Sequence, residues 1–228
     1  MPLFHEDPSQ GAPRVVVSGS IAVELDWALA AALRPEFRRD HAVLARIYDE
    51  APELAERVRA FWGPDEATSC GGSIELMVLA HHGGLLHSVD PEQLLGSLED
   101  LCAMAPTDLR LDSETPEDRR ALLGRLQRLR SSKKVRASYA QLVRDVWSAV
   151  SSDWERDGLR VVKAAVAESV ELDLRGASWR EVARPKCLAE GTLNMLVESL
   201  GSEGVIAVVP AFFAHLGSLV DLPGTVLI

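Results

Sequence analysis

The sequence has few of the residues that form covalent or metal-bound links. Its 228 residues include only 3 cysteines, and Cys70, Cys102 and Cys187 lie far apart. An odd number at this spacing predicts neither a disulfide framework nor a paired-thiol metal site. A chain of this length can bury a substantial core without such links. Because proteins without disulfides are typical of a reducing compartment, we expect a protein of the cytoplasm.

Long apolar runs are also missing. A helix that crosses a bilayer needs about 18 apolar residues or more, and the sequence contains no such stretch. Residues 1–8 hold acids and prolines where a secretory signal has a basic and then an apolar segment. We therefore expect no membrane partner. Residues 1–13, with three prolines, a glycine and two acids, are expected to form a flexible N-terminus.

Basic residues are outnumbered by acidic ones. The 24 lysines and arginines against 34 acids give a formal net charge of −10, which argues against general binding of nucleic acid by this chain. One stretch departs from this balance. Leucines at 122, 126 and 129 predict a helix whose cations point outward to solvent, and contact with DNA phosphates or with an acidic surface is the alternative. The cations of this stretch are Arg119, Arg120, Arg125, Arg128, Arg130, Lys133, Lys134, Arg136 and Arg144.

Helical periodicity fills the middle of the sequence, and β-branched runs lie near its two ends. Apolar residues spaced by three and four predict a helix after Ser20, and similar patterns recur as far as residue 170. Arg14–Val17, Gly204–Val209 and Leu219–Ile228 predict strands, the last two as a hairpin or as neighbours. The predicted fold is α+β and mostly α. It is a multi-helix body, within 14–228, carrying a small sheet of N-terminal and C-terminal strands.

The last predicted strand reaches the final residue printed. Chain termini are usually polar and frayed, whereas Thr225–Ile228 is apolar. We therefore expect this strand to be an internal element of a longer protein.

The histidines and glycines give a weak indication of chemistry. Zinc ligands on a helix lie three or four residues apart, a spacing that Glu75, His81, His82 and His87 do not have. We therefore predict no metal, no cofactor and no catalytic residue, and we expect a protein that is not an enzyme. The alternative is a small cytoplasmic enzyme that uses the region of Cys70, His81 and His82, since a cysteine before glycines at a helix start is open to activation.

The tryptophans are the strongest candidates for ligand contacts. Trp147 and Trp154 are seven residues apart and so share a helix face. Large aromatic side chains either pack the core or line a pocket for an apolar small molecule. The candidate ligand-binding residues are Trp27, Trp62, His81, His82, Trp147 and Trp154.

Three segments resemble an uncharacterised group of ArsR-like winged-helix bacterial transcriptional regulators. They are V-S-G-S-I-A-V-E-L-D-W-A-L-A-A-A at 17–32, V-W-S-A-V-S-S-D-W-E-R-D-G-L-R-V-V at 146–162, and G-V-I-A-V-V-P-A-F-F at 204–213. In that group a long helical region precedes a winged helix-turn-helix, which would here lie beyond residue 228.

The resemblance implies a ligand-sensing and dimerisation region. It implies a homodimer, DNA contacts through a domain outside this chain, and an apolar small-molecule effector bound among the helices. A ligand-free protein-interaction module is a further alternative, which a packed interior without a pocket and a large apolar dimer surface would favour.

Overall fold

A computed structural model gives the structure of the chain. It describes residues 3–5, 13–38, 41–63, 73–109, 116–174, 195, 199–200, 203–214 and 220–227. Cys70, Cys187 and residues beyond Leu227 lie outside these ranges. In the part of the chain that is described, none of the helices has both the length and the apolar character needed to span a bilayer.

The described residues form a helical body and one small sheet, which confirms the predicted mostly α, α+β fold. The helices are α1 Ile21–Leu33, α2 Ala42–Glu50, α3 Pro52–Trp62, α4 Glu75–His82, α5 Pro91–Ala103, α6 Pro116–Ser131, α7 Lys133–Asp153 and α8 Leu159–Leu174. A 3-10 turn, Pro35–Arg38, follows α1. A π turn, Trp154–Gly158, joins α7 to α8.

Local sequence explains where several helices begin. The Ser20 hydroxyl accepts a hydrogen bond from the N–H of Val23 at the start of α1. The Asp90 carboxylate accepts hydrogen bonds from the first turn of α5, and Pro91 occupies the first helical position, where a missing N–H costs nothing. Ser132 caps α7 in the same way as Ser20 caps α1.

Within the described residues the sheet has five strands, in the order β1-β2-β3-β5-β4. These are β1 Leu3–His5, β2 Arg14–Val17, β3 Val205–Val208, β4 Val220–Leu222 and β5 Thr225–Leu227. The three central strands β2, β3 and β5 are parallel, and the edge strands β1 and β4 are antiparallel to their neighbours. The prediction of a strand at Arg14–Val17 beside the C-terminal strands is confirmed.

Of the two arrangements predicted for the C-terminal strands, the structure has the neighbouring one, because β3 and β5 are parallel neighbours. The hairpin lies between β4 and β5, where Gly224 adopts a φ of 69° in the turn. A strand also occurs at Leu3–His5, inside the segment expected to be flexible. It pairs with β2.

The sheet is covered on both faces, as parallel strands usually are. Ala207 and Leu227 join the main hydrophobic core with the helices. Ile206 and Val208 point the other way and form a second small cluster with Leu200. The carboxyl ends of the parallel strands meet at one edge, so α1, which follows β2, lies beside residues 209–213, which follow β3.

Helix α1 is the centre of the helical body. It packs against α3, α4 and α7, and its residues from Ile21 to Ala32 are buried except for half-buried Trp27. Two of the buried residues, Glu24 and Asp26, are acids. A helix that is apolar on nearly all sides belongs inside a protein, and acids on it need partners there.

Candidate functional site

A group of polar side chains lies in the core between α1, α4, α6 and α7. Asp26 on α1 is hydrogen-bonded to the Ser73 hydroxyl (Oγ–Oδ1 3.0 Å) and accepts the N–H of Met77 (N–Oδ2 2.7 Å). Glu75 forms an ion pair with Arg125, and both side chains are buried. We call Asp26, Ser73, Glu75, Arg125 and the adjacent Tyr139 the Asp26 cluster.

The hydrogen bonds of Ser73 fix the protonation of this cluster. The Ser73 Oγ lies 3.0 Å from Asp26 Oδ1 and 2.9 Å from Glu75 Oε2, yet a hydroxyl carries one proton. Both contacts are hydrogen bonds only if one of the carboxyl groups is protonated. Glu75 pairs with Arg125, so the proton belongs on Asp26. Burial, with the nearby Glu75 charge, raises the pKa of Asp26 to about 8, which agrees with a neutral acid at pH 7.

Aromatic rings border the cluster. The Trp62 ring lies 5.7 Å from the Tyr139 ring, and the Arg125 guanidinium is 5.6 Å from the Trp62 ring centre. The Tyr139 hydroxyl is fully buried and has no hydrogen-bond partner among the described residues. Burial and the neighbouring acids Asp26 and Glu75 raise the pKa of this hydroxyl well above its usual value, so it stays neutral.

An open groove of about 650 Å³ lies on the surface outside this cluster. We call it the α3–α7 groove, and its lining residues are Arg57, Ala60, Phe61, Lys134, Ala137, Ser138, Gln141 and Leu142. Phe61 links the groove to the interior, because its ring lies 4.6 Å from the Trp62 ring and 5.6 Å from the Tyr139 ring. A ligand that contacts Phe61 in the groove is therefore separated from the Asp26 cluster by the Phe61 ring.

The second acid of α1 holds the loop that follows β3. Glu24 Oε1 accepts the N–H of Phe212 at 2.7 Å, and Oε2 accepts the N–H of Phe213 at 2.8 Å. Burial raises the pKa of Glu24 to about 7, and these two hydrogen bonds oppose that rise. We call this arrangement the Glu24 contact.

His41, the residue before α2, is hydrogen-bonded to the same loop. Its Nδ1 accepts the N–H of Leu44 at 3.3 Å, so the neutral ring carries its proton on Nε2. That Nε2–H donates to the Phe212 carbonyl oxygen at 2.9 Å. The backbone of Phe212 is thus hydrogen-bonded through both its N–H and its C=O to the helical body.

The π turn between α7 and α8 packs against the same loop. A Cβ added at Gly158 would lie 2.4 Å from Trp154 Cε3 and 3.0 Å from Phe212 Cδ1. Only glycine allows this approach, because real Cβ atoms do not make such short contacts. Widened turns of this kind often occur at functional positions of helices.

The tryptophans predicted to contact a ligand lie at separate places. Trp62 borders the Asp26 cluster, Trp154 is buried beside Phe212, and Trp27 is half-buried with its ring 5.7 Å from that of Phe37. Trp147 is half-buried against the core. Within the described ranges no ring contact joins two of these four, and none of them lines the α3–α7 groove. Their role in ligand binding stays a prediction.

The predicted histidines end α4 without forming a cluster with acids. His81 is half-buried, and its Nε2 lies 3.1 Å from the Pro223 carbonyl oxygen in the β4–β5 turn. Burial lowers the pKa of His81, so its neutral form donates to that oxygen. His82 is exposed. Among the residues that the structure describes, no three His, Cys, Asp or Glu side chains are placed to hold a metal ion.

Ser18 and His87 form the arrangement most similar to a nucleophile and its base. The Ser18 Oγ lies 2.7 Å from His87 Nδ1, and burial lowers the pKa of that histidine. The serine, however, is only 6% exposed. The adjacent Gly19 is packed against Val89 and Val162, so closely that a Cβ would lie 2.7 Å from each. This hydrogen bond fixes the loop before α5 to the end of β2.

One cation of the basic stretch does not face solvent as predicted. Arg125 does not point to solvent but is buried, because its spacing from Leu122 and Leu129 puts it on the apolar face of α6. The other eight cations are exposed or half-buried, as expected of a solvated face.

Comparisons with known proteins give no assignment. Searches against models of protein families, curated proteins and solved structures each found no match. A function is therefore inferred from the sequence and from the contacts of the Asp26 cluster, the Glu24 contact and the α3–α7 groove.

Proposed function

We propose that this chain is the ligand-sensing and dimerisation region of a cytoplasmic transcriptional regulator. The ligand binds in the α3–α7 groove, and DNA is bound through a segment outside these 228 residues. The sensing role is supported by the path of contacts described above. The DNA-binding role, the effector and the homodimer are supported by the resemblance at 17–32, 146–162 and 204–213.

The path begins at the groove and ends at the sheet. Phe61 lines the groove and contacts Tyr139, a member of the Asp26 cluster, and Trp62, which lies against Arg125 of that cluster. Asp26 and Glu24 lie two residues apart on α1, and Glu24 holds the loop that follows β3. A ligand changes the balance of two conformations only by binding one of them better. The proposal is that a filled groove favours one placement of α1, and that Glu24 transmits this placement to the loop.

The experiment that tests the regulator is a DNA-binding measurement on the whole gene product. Its affinity for the fragment directly upstream of its own gene is compared by fluorescence anisotropy with that for a coding fragment of equal length. Light scattering after size exclusion gives the molar mass. We expect a dimer that prefers the upstream fragment. A monomer, or equal affinity for both fragments at several salt concentrations, would contradict the proposal.

A further inference from the structure

The α3–α7 groove combines cations with an apolar floor. Arg57 and Lys134 are exposed and lie at its rim, and half-buried Phe61 and buried Leu142 form its floor. Ser138 and Gln141 add exposed polar groups. Pockets for small molecules have this composition, with an apolar lining and a few polar groups that fix orientation.

The two cations have capacity to bind an anion. Arg57 donates through Nη2 to Asp145, and a guanidinium has five N–H donors, so this ion pair leaves others for a second acceptor. Lys134 makes no ion pair within the described residues. A chain with a net charge of −10 repels anions overall, so local cations are needed for an anion to bind here.

From these features we infer that the groove binds an amphipathic organic anion, a small molecule with an acid group on an apolar body. Lys134 and Arg57 hold the acid group, and Phe61 and Leu142 contact the apolar part. The inference depends on the proposed function, because it names the ligand class of the sensing site. The volume of about 650 Å³ suits such a molecule.

Two fluorescent probes with one scaffold test the ligand class. The anion 1-anilinonaphthalene-8-sulfonate and the neutral N-phenyl-1-naphthylamine differ by a sulfonate group, and each is titrated into the 228-residue chain. We expect the anion to bind more tightly. Lys134→Glu should weaken the anion by about fivefold and leave the neutral probe unchanged, since an exposed charge contributes about 1 kcal/mol to a pair.

Lys133→Glu is the matched control for this charge reversal. Lys133 precedes Lys134 on α7, is equally exposed, and does not line the groove. Both variants change the net charge by the same amount, so only a local contact distinguishes them. If both variants weaken the anion equally, or if the neutral probe binds as tightly as the anion, the ligand class is wrong.

A groove-filling variant tests the site separately from the ligand class. Ala137 is exposed and lines the groove, so Ala137→Trp occupies the space without entering the core. It should weaken both probes, whereas Ala164→Trp, at an exposed position of α8, should weaken neither. If Ala137→Trp weakens both while Lys134→Glu has no effect, the groove stays the sensing site and only the ligand class falls. If Ala137→Trp changes neither probe, or if the wild type binds neither, the groove is not the site and both proposals fall.

Discussion

Glu24 and Asp26 are two buried acids on the same helix with different partners. They lie two residues apart on α1 and so point to different sides of it. Their exposures are 1% and 0%. Glu24 accepts two backbone N–H groups from the loop after β3, whereas Asp26 shares Ser73 with a second acid, Glu75.

The difference shows two ways of burying a carboxyl group. The two N–H donors stabilise the charged form of Glu24 and offset part of the free-energy cost of its burial. The same hydrogen bonds hold the loop against the helix. Asp26 lies beside Glu75, and the one arginine nearby, Arg125, pairs with Glu75. Asp26 is therefore buried in its protonated, uncharged form. Helix α1 thus carries an acid bound to backbone N–H groups on one side and an acid in a side-chain network on the other, and burial raises the pKa of both.

Removal of the cation should break the Asp26 cluster most severely. Arg125→Leu leaves Glu75 buried without its ion-pair partner beside Asp26. Loss of one member of a buried ion pair typically costs about 3 to 5 kcal/mol, so we expect a fall of that size in the free energy of unfolding. Urea denaturation at pH 7 measures it.

Arg128→Leu is the control for this loss. Both guanidinium groups lie over the Trp62 ring, at 5.6 Å for Arg125 and 5.9 Å for Arg128, but Arg128 is exposed. Its removal should cost about 1 kcal/mol or less. Equal losses in the two variants would show that the ring contact, rather than the buried pair, stabilises the cluster.

Asp26→Asn should remove much of the pH dependence of stability. The folded pKa of about 8 lies above the ordinary value of 3.8, so between these values the folded state binds one more proton than the unfolded state. Stability is therefore lost as pH rises through this window. An asparagine amide can donate to Ser73 and accept from Met77 at every pH. From pH 5 to pH 8 the variant should gain roughly 4 kcal/mol relative to the wild type, at about 1.4 kcal/mol for each pH unit.

The measurement is urea denaturation of both proteins at several pH values. Burial also raises the pKa of Glu24, to about 7. The free energy of unfolding of the variant should therefore still fall with rising pH, by a smaller amount, and this fall should end near pH 7. Parallel curves for the two proteins across the whole range would contradict the assignment of the proton to Asp26.

Glu24→Ala should loosen the sheet while leaving the Asp26 cluster in place. It removes the acceptor of two N–H groups, one of them on fully buried Phe213, and we expect a loss of about 2 kcal/mol. Hydrogen exchange should accelerate at the amides of Phe212 and Phe213 more than at Met77. Glu56→Ala, at an exposed position of α3, is the control. Unchanged exchange at both phenylalanines would show that His41 and packing hold the loop without Glu24.

Much of the fold follows from spacing in the sequence. The helix predicted after Ser20 is α1, which begins at Ile21, because apolar spacing of three and four depends on neighbours within one or two turns. The strand at Arg14–Val17 follows in the same way from its β-branched residues. Its parallel pairing with β3 depends on residues far along the chain and has no local signal.

The polar contacts of the buried acids on α1 do not follow from spacing, for a different reason. Periodicity assigned one buried face to α1, although Ala22, Val23 and Ala30 make the rest of this helix apolar as well. Acids in a helix that is apolar on all sides are the signal for buried carboxyl groups. The partners of those acids, Ser73 and the N–H groups of Phe212 and Phe213, come from distant segments and depend on the tertiary packing.

The smallest expected effect compares the two buried tyrosine hydroxyl groups. The Tyr139 hydroxyl has no partner among the described residues, whereas the Tyr48 hydroxyl donates to the Ala28 carbonyl oxygen at 2.6 Å. Removal of a buried hydroxyl that makes no hydrogen bond should cost nothing or stabilise the protein slightly, while loss of a paired one costs about 1 kcal/mol. We therefore expect Tyr48→Phe to lower the melting temperature and Tyr139→Phe to keep or raise it. A loss in Tyr139→Phe as large as that in Tyr48→Phe would mean that the Tyr139 hydroxyl is hydrogen-bonded within the Asp26 cluster of the folded protein.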